Sequence, residues 1–139
     1  MKVLAIDYGS ARTGVAVSDP SGALARPLGV VERVDRKAGL AELCAIIEAE
    51  QPELIVVGMP YTLRGEIGAQ AQETEQFVAR LTKRCRIPIQ TADERYTTTI
   101  ARARVVEARP RGSRGHTWSD DAQAATVLLQ GVLDRRAGE

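Results

Sequence analysis

The run Leu54-Ile55-Val56-Val57 limits the fold of this chain more than any other segment. Every position in it is apolar, Pro52 precedes it, and Gly58-Met59-Pro60 follows it. A strand that is apolar on both faces has to be covered on both faces, as the parallel strands of α/β proteins are. The sequence therefore predicts a sheet with helices packed on both of its sides.

Three β-type runs precede this strand and are separated by turn signals, of which Asp19-Pro20-Ser21-Gly22 is the strongest. The runs cover residues 3–7, 14–18 and 28–34, and they predict an antiparallel meander. The other predicted elements are a helix on the stripe Leu40, Leu43, Cys44 and Ile47, helices over 66–84, 97–108 and 118–136, and a strand at 87–89. This order predicts an α/β fold with a mixed central sheet, in which the three-strand antiparallel meander is followed by parallel strands and flanked by helices.

The length and composition indicate an ordinary globular protein. The chain has 139 residues, of which 44% are hydrophobic and 27% charged, so we expect one domain over residues 1–139. No apolar run approaches the roughly 20 residues that span a bilayer, and Asp7 comes too early for a secretory signal. Cys44 and Cys85 form no CxxC pair and have no histidine at ligand spacing. These features predict a cytoplasmic protein with reduced thiols and no membrane partner.

The near-neutral net charge of +1 conceals two segments of opposite sign. Residues 95–116 contain six arginines and one glutamate, whereas residues 42–75 contain seven glutamates and one arginine. Clustered arginine is typical of phosphate contact. The alternative is a general preference for arginine over lysine, with the charges solvating helix faces, and composition alone does not separate the two.

Three carboxylates stand at the predicted ends of core elements. Asp7 ends the first apolar strand, where an unpaired charge costs several kcal/mol, and Glu94 follows the strand at 87–89. Asp121 lies in the first turn of the last helix, in line with Ala125 and Leu128 on the core-facing stripe. Strand ends and a helix start can converge on one crevice of an open α/β sheet. Carboxylate oxygens gathered there would select Mg²⁺ or Mn²⁺.

Each carboxylate also has a simpler interpretation. Asp7 could form the turn before Gly9, and Glu94 could pair with Arg95. Asp121 could complement the dipole at the start of its helix. The residues alone leave these interpretations open.

Four sequence blocks resemble the motifs of a known family. They are Asp7-Tyr8-Gly9-Ser10-Ala11-Arg12-Thr13-Gly14-Val15-Ala16-Val17-Ser18-Asp19, Val56-Val57-Gly58-Met59-Pro60 with Gly65, Asp93-Glu94-Arg95-Tyr96-Thr97-Thr98, and Asp121-Ala122-Gln123-Ala124-Ala125 with Leu129-Gln130. On these blocks, which follow one another over nearly the whole chain, the protein resembles the YqgF family. Members of that family are described as Holliday-junction resolvases or as nucleases that trim the precursor of 16S ribosomal RNA.

The resemblance implies a ribonuclease H-like fold and a metal-dependent nuclease that hydrolyses phosphodiester bonds. Asp7, Glu94 and Asp121 would be its catalytic, metal-binding carboxylates, and two Mg²⁺ or Mn²⁺ ions would clamp the scissile phosphate. Such chemistry needs no nucleophilic side chain, which agrees with the lack of a Ser/His/Asp arrangement in the sequence.

Several side chains in the motif loops are candidates for nucleic-acid binding. They are Arg12, Arg64, Arg95, Arg111 and Arg114, as forks for phosphate, and Tyr61, as a surface on which a base stacks. Tyr8 is instead expected to pack in the core on the face opposite Asp7, and His116 to be a surface residue. RNA is the favoured partner, because a four-way DNA junction is two-fold symmetric and its symmetric cleavage suggests a dimer. Junction resolution is the alternative, and we expect a monomer or weak dimer.

Two further functions compete with a nuclease. Asp-x-Gly also opens the phosphate loop of actin-like and sugar-kinase ATPases, but those enzymes bind ATP between two such domains. An ATPase would also leave Glu94 and Asp121 together unexplained. A non-catalytic RNA-binding module would use the arginine-rich segment alone and would have no need for the three carboxylates.

Overall fold

The structure is a computed structural model that describes residues 1–61, 67–112 and 118–138, with only the backbone of Tyr96. In this part of the chain, five strands form one sheet: β1 (Val3–Asp7), β2 (Arg12–Ser18), β3 (Ala25–Glu32), β4 (Leu54–Met59) and β5 (Ile89–Asp93). The strand order is β3-β2-β1-β4-β5. The pairs β1–β2 and β2–β3 are antiparallel, whereas β1–β4 and β4–β5 are parallel. The predicted meander followed by parallel strands is therefore confirmed.

The helices cover both faces of this sheet, as the apolar run in β4 requires. They are α1 (Lys37–Glu50), α2 (Ala69–Thr82), α3 (Thr99–Ala108) and α4 (Asp120–Ala137), and a short 3₁₀ helix (Glu94–Tyr96) joins β5 to α3. One core joins Leu4 and Ile6 of β1 to apolar side chains of α1 and α2. The other core joins Val3 and Ala5 to apolar side chains of α4. Because successive side chains of a strand point to opposite faces, Asp7 belongs to the α4 face.

β2 begins at Arg12, two residues before its predicted run, and β3 and β5 differ further from the expected residues. β3 begins at Ala25 and ends at Glu32, because Arg33 has a φ of 52° that ends the extended conformation. β5 begins at Ile89, because Pro88 has no N–H to donate to a strand partner and contributes only its carbonyl, which accepts from the Ile55 N–H at 2.9 Å. β5 is at one edge of the sheet and exposes polar side chains, so its apolar pattern is weak.

The helix bounds differ from the predictions by a few residues. α2 is shorter than the predicted 66–84, α3 begins after its cap Thr98, and α4 begins after its cap Ser119. Among the described residues, no helix combines the length and apolar character needed to cross a bilayer.

Candidate active site

Asp7 ends the central strand β1 and is half-buried under α4. Its carboxyl is hydrogen-bonded to Glu94. Burial raises the pKa of Asp7 from 3.8 to about 8, and the hydrogen bond and charge of Glu94 and the charge of Asp121 add to this effect. A raised pKa is expected where like charges meet in a poorly solvated place. The structure therefore brings two of the predicted carboxyl groups into contact and the third within electrostatic reach.

Glu94 reaches Asp7 because the strand between them has a glycine at the crossing point. Glu94 follows β5, and β4 separates β5 from β1. A Cβ on Gly58 of β4 would lie 3.1 Å from both Cγ and Oε1 of Glu94, and 2.8 Å from a methyl carbon of Leu128. The Glu94 side chain thus passes directly over Gly58, and a side chain added there would force Glu94 and Leu128 to shift.

A second glycine places the start of α4 beside Asp7. Gly14 of β2 is the ladder partner of Asp7. A Cβ on Gly14 would lie only 1.9 Å from the backbone oxygen of Asp121, so α4 begins in direct contact with β2. Ser119 caps the helix and accepts a hydrogen bond from the Ala122 N–H at 3.4 Å. Glycines on the two strands that flank β1 therefore make room for the other two carboxylates.

Asp121 is held by a positive charge in this arrangement. Its Oδ2 lies 3.1 Å from Nε of Arg12, and the side chains of Asp121 and Arg12 are 39% and 66% exposed. Arg12 is a predicted phosphate-binding residue, and in the structure its guanidinium contacts the Asp121 carboxylate. The pair is open to solvent, where an ion pair contributes little to stability, so Arg12 is free to exchange this partner for another anion.

The chemistry of the donor set suits a hard divalent cation. Asp7 and Glu94 present oxygens, the ligand type that Mg²⁺ and Mn²⁺ prefer. Within the described residues, no three side chains of the metal-binding types are close enough together to hold an ion, and the Asp121 carboxylate contacts Arg12. A cation bound by the Asp7 carboxylate would stabilise the ionised form, which burial and the neighbouring Glu94 and Asp121 disfavour.

Arg95 contacts a different acid from the one that the sequence suggested. Its Nε donates to Oδ2 of Asp93 at 2.7 Å, and its backbone N–H donates to Oδ1 of the same residue at 2.9 Å. These hydrogen bonds hold the pKa of Asp93 below its usual range. Arg95 therefore stabilises the turn after β5, and the Glu94 side chain is directed to Asp7.

A cavity of about 410 Å³ opens between α3 and α4 above these carboxyl groups. Its polar lining consists of Asp7, Glu94, Thr97, Arg102, Asp120 and Gln123. Arg102 and Gln123 were not singled out from the sequence, although Arg102 belongs to the arginine-rich segment and Gln123 to the last motif. Their position depends on how α3 packs on α4, for which a single sequence carries no signal.

The other residues singled out from the sequence lie in several places, and some are outside the part of the chain that the structure describes. Tyr61 is partly buried and borders a separate space next to Glu94 and Arg95. Arg111 is exposed after α3, and Arg64, Arg114 and His116 lie outside the described residues. The expected core position of Tyr8 is confirmed.

Two of the aromatic rings beside the motifs pack within the protein. The Tyr8 ring stacks on Phe77 with centroids 4.8 Å apart. Trp118 packs against the cluster of Ala101, Val105 and Val127, and the guanidinium of Arg109 lies 5.8 Å from its ring centre.

Several known proteins are similar to this chain over nearly its whole length. A family model described as "RuvX: Holliday junction resolvase" matches residues 1–135. A protein of Roseiflexus sp. (strain RS-1) is 38% identical over 133 residues, which are 96% of this chain and 94% of that protein. One of Maridesulfovibrio salexigens is 39% identical over 135 residues, covering 97% of this chain and 99% of its own. Both carry the name "Putative pre-16S rRNA nuclease".

Two solved structures share the fold. The RuvC protein of T. thermophilus in complex with Holliday junction substrate has a TM-score of 0.67 at 17% identity, with 99% of this chain and 97% of that chain covered. The Fowlpox virus resolvase in complex with Holliday junction DNA has a TM-score of 0.63 at 8% identity, with 98% and 99% covered. Together with the family match, these findings show that the chain belongs to the RuvX (YqgF) family and is a nuclease with a ribonuclease H-like fold.

Proposed function

We propose that this chain is a metal-dependent ribonuclease of the cytoplasm that acts in the 5′ maturation of precursor 16S rRNA. Asp7, Glu94 and Asp121 would hold Mg²⁺ or Mn²⁺, with two ions as the expected number. The observation that carries the proposal is the half-buried Asp7 carboxyl, hydrogen-bonded to Glu94 and close to the charge of Asp121. Such a cluster destabilises a protein unless a cation or a proton occupies it, and oxygen-rich sites of this kind suit Mg²⁺ and Mn²⁺.

Two side chains would have to change partners for a cation to bind. Asp7 has to give up the proton that it holds up to a pH of about 8 before it can bind a cation. Asp121 has to leave Arg12, and the freed guanidinium can then take a phosphate oxygen. When bound, divalent ions would supply an activated water and neutralise the leaving oxygen in an in-line displacement.

RNA is favoured over branched DNA for two reasons. The relatives that match over nearly their full length are named for RNA, and single-stranded or structured RNA requires no two-fold symmetry of the enzyme. A four-way DNA junction is the second candidate, because the family description and the two solved structures name Holliday junctions. Symmetric cutting of a junction would require a dimer, and a monomer or weak dimer suffices for RNA.

The test is a cleavage assay in Mg²⁺ or Mn²⁺ with three labelled substrates: the leader of precursor 16S rRNA, an unrelated single-stranded RNA, and a four-way DNA junction. The wild type is compared with Asp7→Asn. The matched control is Asp19→Asn, which neutralises a carboxylate in the β2–β3 turn, at the other end of the sheet from Asp7.

We expect the leader RNA to be cut by the wild type and by Asp19→Asn, and to stay intact with Asp7→Asn. Cutting of the junction alone, by a protein that sediments as a dimer, would replace RNA by branched DNA as the substrate. Binding of RNA without cutting by all three proteins would favour the non-catalytic module and refute the nuclease mechanism.

A further inference from the structure

Arg102 brings a positive charge to the cavity that contains Asp7 and Glu94. Among the described residues lining this cavity, Arg102 is the one cation, and Asp7, Glu94 and Asp120 are the acids. An anionic nucleic acid entering the cavity would be repelled by the acids, so the position of each compensating positive charge matters. Bound divalent ions would supply such charge at Asp7 and Glu94, and Arg102 supplies it at the wall formed by α3.

The guanidinium of Arg102 has no protein partner within residues 1–61, 67–112 and 118–138. Other arginines near the site or on the same helix are held by carboxylates. Arg12 contacts Asp121, and Arg104 contacts Asp134. A guanidinium presents five N–H donors in a fixed planar fork, and in Arg102 this fork remains available to a ligand.

The backbone that carries Arg102 is firmly placed. Thr98 caps α3 by accepting a hydrogen bond from the Ala101 N–H at 3.0 Å. Ala101 and Val105 are buried on the same cluster as Val127 of α4. Because α4 also carries Asp121, the position of Arg102 is fixed relative to the proposed metal-binding side chains. The cavity volume of about 410 Å³ is within the range of pockets for small ligands, about 300–1,000 Å³, and can hold a nucleotide unit.

We propose that Arg102 binds a backbone phosphate of the nucleic acid that enters this cavity, with its guanidinium fork on the two non-bridging oxygens. The inference rests on the proposed nuclease function and assigns a binding residue to it. A bidentate contact of this kind is stronger and more directional than a contact made by a lysine. Arg102 would thereby fix the register of the strand across the carboxylates.

The test measures binding of a fluorescent single-stranded RNA oligonucleotide, with Ca²⁺ in place of Mg²⁺, over a range of KCl concentrations. Arg102→Ala is compared with Arg102→Lys and with the control Arg104→Ala, which removes the same charge from the same helix at a position held by Asp134. Thermal unfolding of each variant reports on folding. Arg102 is exposed, so we expect its variants to fold as the wild type does.

We expect Arg102→Ala to bind about tenfold more weakly at low salt, as for the loss of a charge-assisted hydrogen bond. The slope of log affinity against log salt should fall by about 0.7, the value for one phosphate contact on a single strand. Arg102→Lys should keep the slope and recover part of the affinity, and Arg104→Ala should match the wild type in both.

Single methylphosphonates, each of which removes the charge of one phosphate, are placed in turn along the oligonucleotide to locate the phosphate that Arg102 contacts. The wild type should lose affinity at one position where Arg102→Ala loses none, because that variant has already lost the interaction. An Arg102→Ala variant with the wild-type slope and the wild-type methylphosphonate profile would overturn the inference, while cleavage by the wild type would leave the proposed function standing. Failure of the wild type to bind or cut RNA would overturn both.

Discussion

Replacing Asp7 by asparagine should stabilise the metal-free protein at alkaline pH. The folded state raises the pKa of Asp7 from 3.8 to about 8, first through burial and then through Glu94 and Asp121. A carboxyl with a raised pKa contributes stability that is complete below its unfolded pKa and is lost as the pH rises through the folded value. The substituted amide carries no proton to lose and can still donate a hydrogen bond to Glu94, so its stability should not fall in this window.

The size of the effect follows from the shift. About four pKa units, at about 1.4 kcal/mol each, set an upper limit of roughly 6 kcal/mol. Asp7 is only half-buried, and water that reaches an ionised carboxylate relieves part of this penalty, so we expect about 2 kcal/mol. For a chain of this size, that corresponds to a rise of roughly 4–8 °C in Tm.

The assay is thermal unfolding in EDTA at pH 5 and at pH 9, with Asp120→Asn as the control. Asp120 lines the same cavity, but its side chain is exposed, so its substitution should change stability by less than about 0.5 kcal/mol at either pH. The gain in stability from Asp7→Asn should be small at pH 5 and reach its full size at pH 9.

Adding Mn²⁺ should make the wild type more stable than Asp7→Asn, because a ligand that binds only the folded wild type adds about 2.7 kcal/mol at one hundred times its Kd. A variant that is no more stable than the wild type at pH 9 in EDTA would refute the account of the Asp7 environment.

Three further predictions test two supports of the site, Gly58 and Arg12, and the turn at Asp19. Gly58→Ala should lower the Mn²⁺ affinity measured by calorimetry at least tenfold, because its methyl group displaces Glu94. Unchanged affinity would show that Glu94 binds the cation without the space that Gly58 leaves. Arg12→Ala should raise the Mn²⁺ affinity a few-fold, because Asp121 no longer has to break an ion pair, and should weaken RNA binding. Weaker metal binding would show that Arg12 and the cation do not compete for Asp121. Asp19→Asn should lower stability at neutral pH, since hydrogen bonds from Leu24, Ser21 and Ala23 lower the pKa of Asp19 to about 2. That stabilisation is present above the unfolded pKa and is lost as the pH falls through about 2, so equal acid-unfolding curves for the two proteins would contradict it.

The sequence predicted those parts of the fold that depend on local pattern. The apolar run of β4, the turn at Asp19-Pro20 and the periodicity of α1 gave the mixed sheet and its covering helices. The predicted β5 was too short, because an edge strand is partly exposed and therefore shows a weaker apolar pattern than a central strand. The carboxylates were predicted to lie at the ends of core elements, and Asp7, Glu94 and Asp121 do lie there.

The contacts within the site could not be predicted from the sequence. Gly58 and Gly14 belong to recognised motifs, but their function depends on a glutamate and an aspartate that are distant in the sequence. The pairing of Arg12 with Asp121 and the presence of Arg102 in the cavity depend on the packing of α4 against the sheet and against α3. A single sequence contains the periodicity of each element but not the register between elements.

The place of α4 in the chain has a consequence for the newly made protein. α4 is the last of the described elements to leave the ribosome, and it covers the sheet face formed by Val3, Ala5, Ala16 and Val56. Gln130 fastens it there, accepting a hydrogen bond from the Ala25 N–H at 2.9 Å and donating one to the Ala23 carbonyl at 3.1 Å. Until this helix docks, the apolar face of the sheet is exposed to solvent and to other chains. Asp121 is also absent from its place near Asp7 and Glu94. A chain that lacks α4, whether unfinished or clipped, would therefore expose this apolar face and be prone to aggregation.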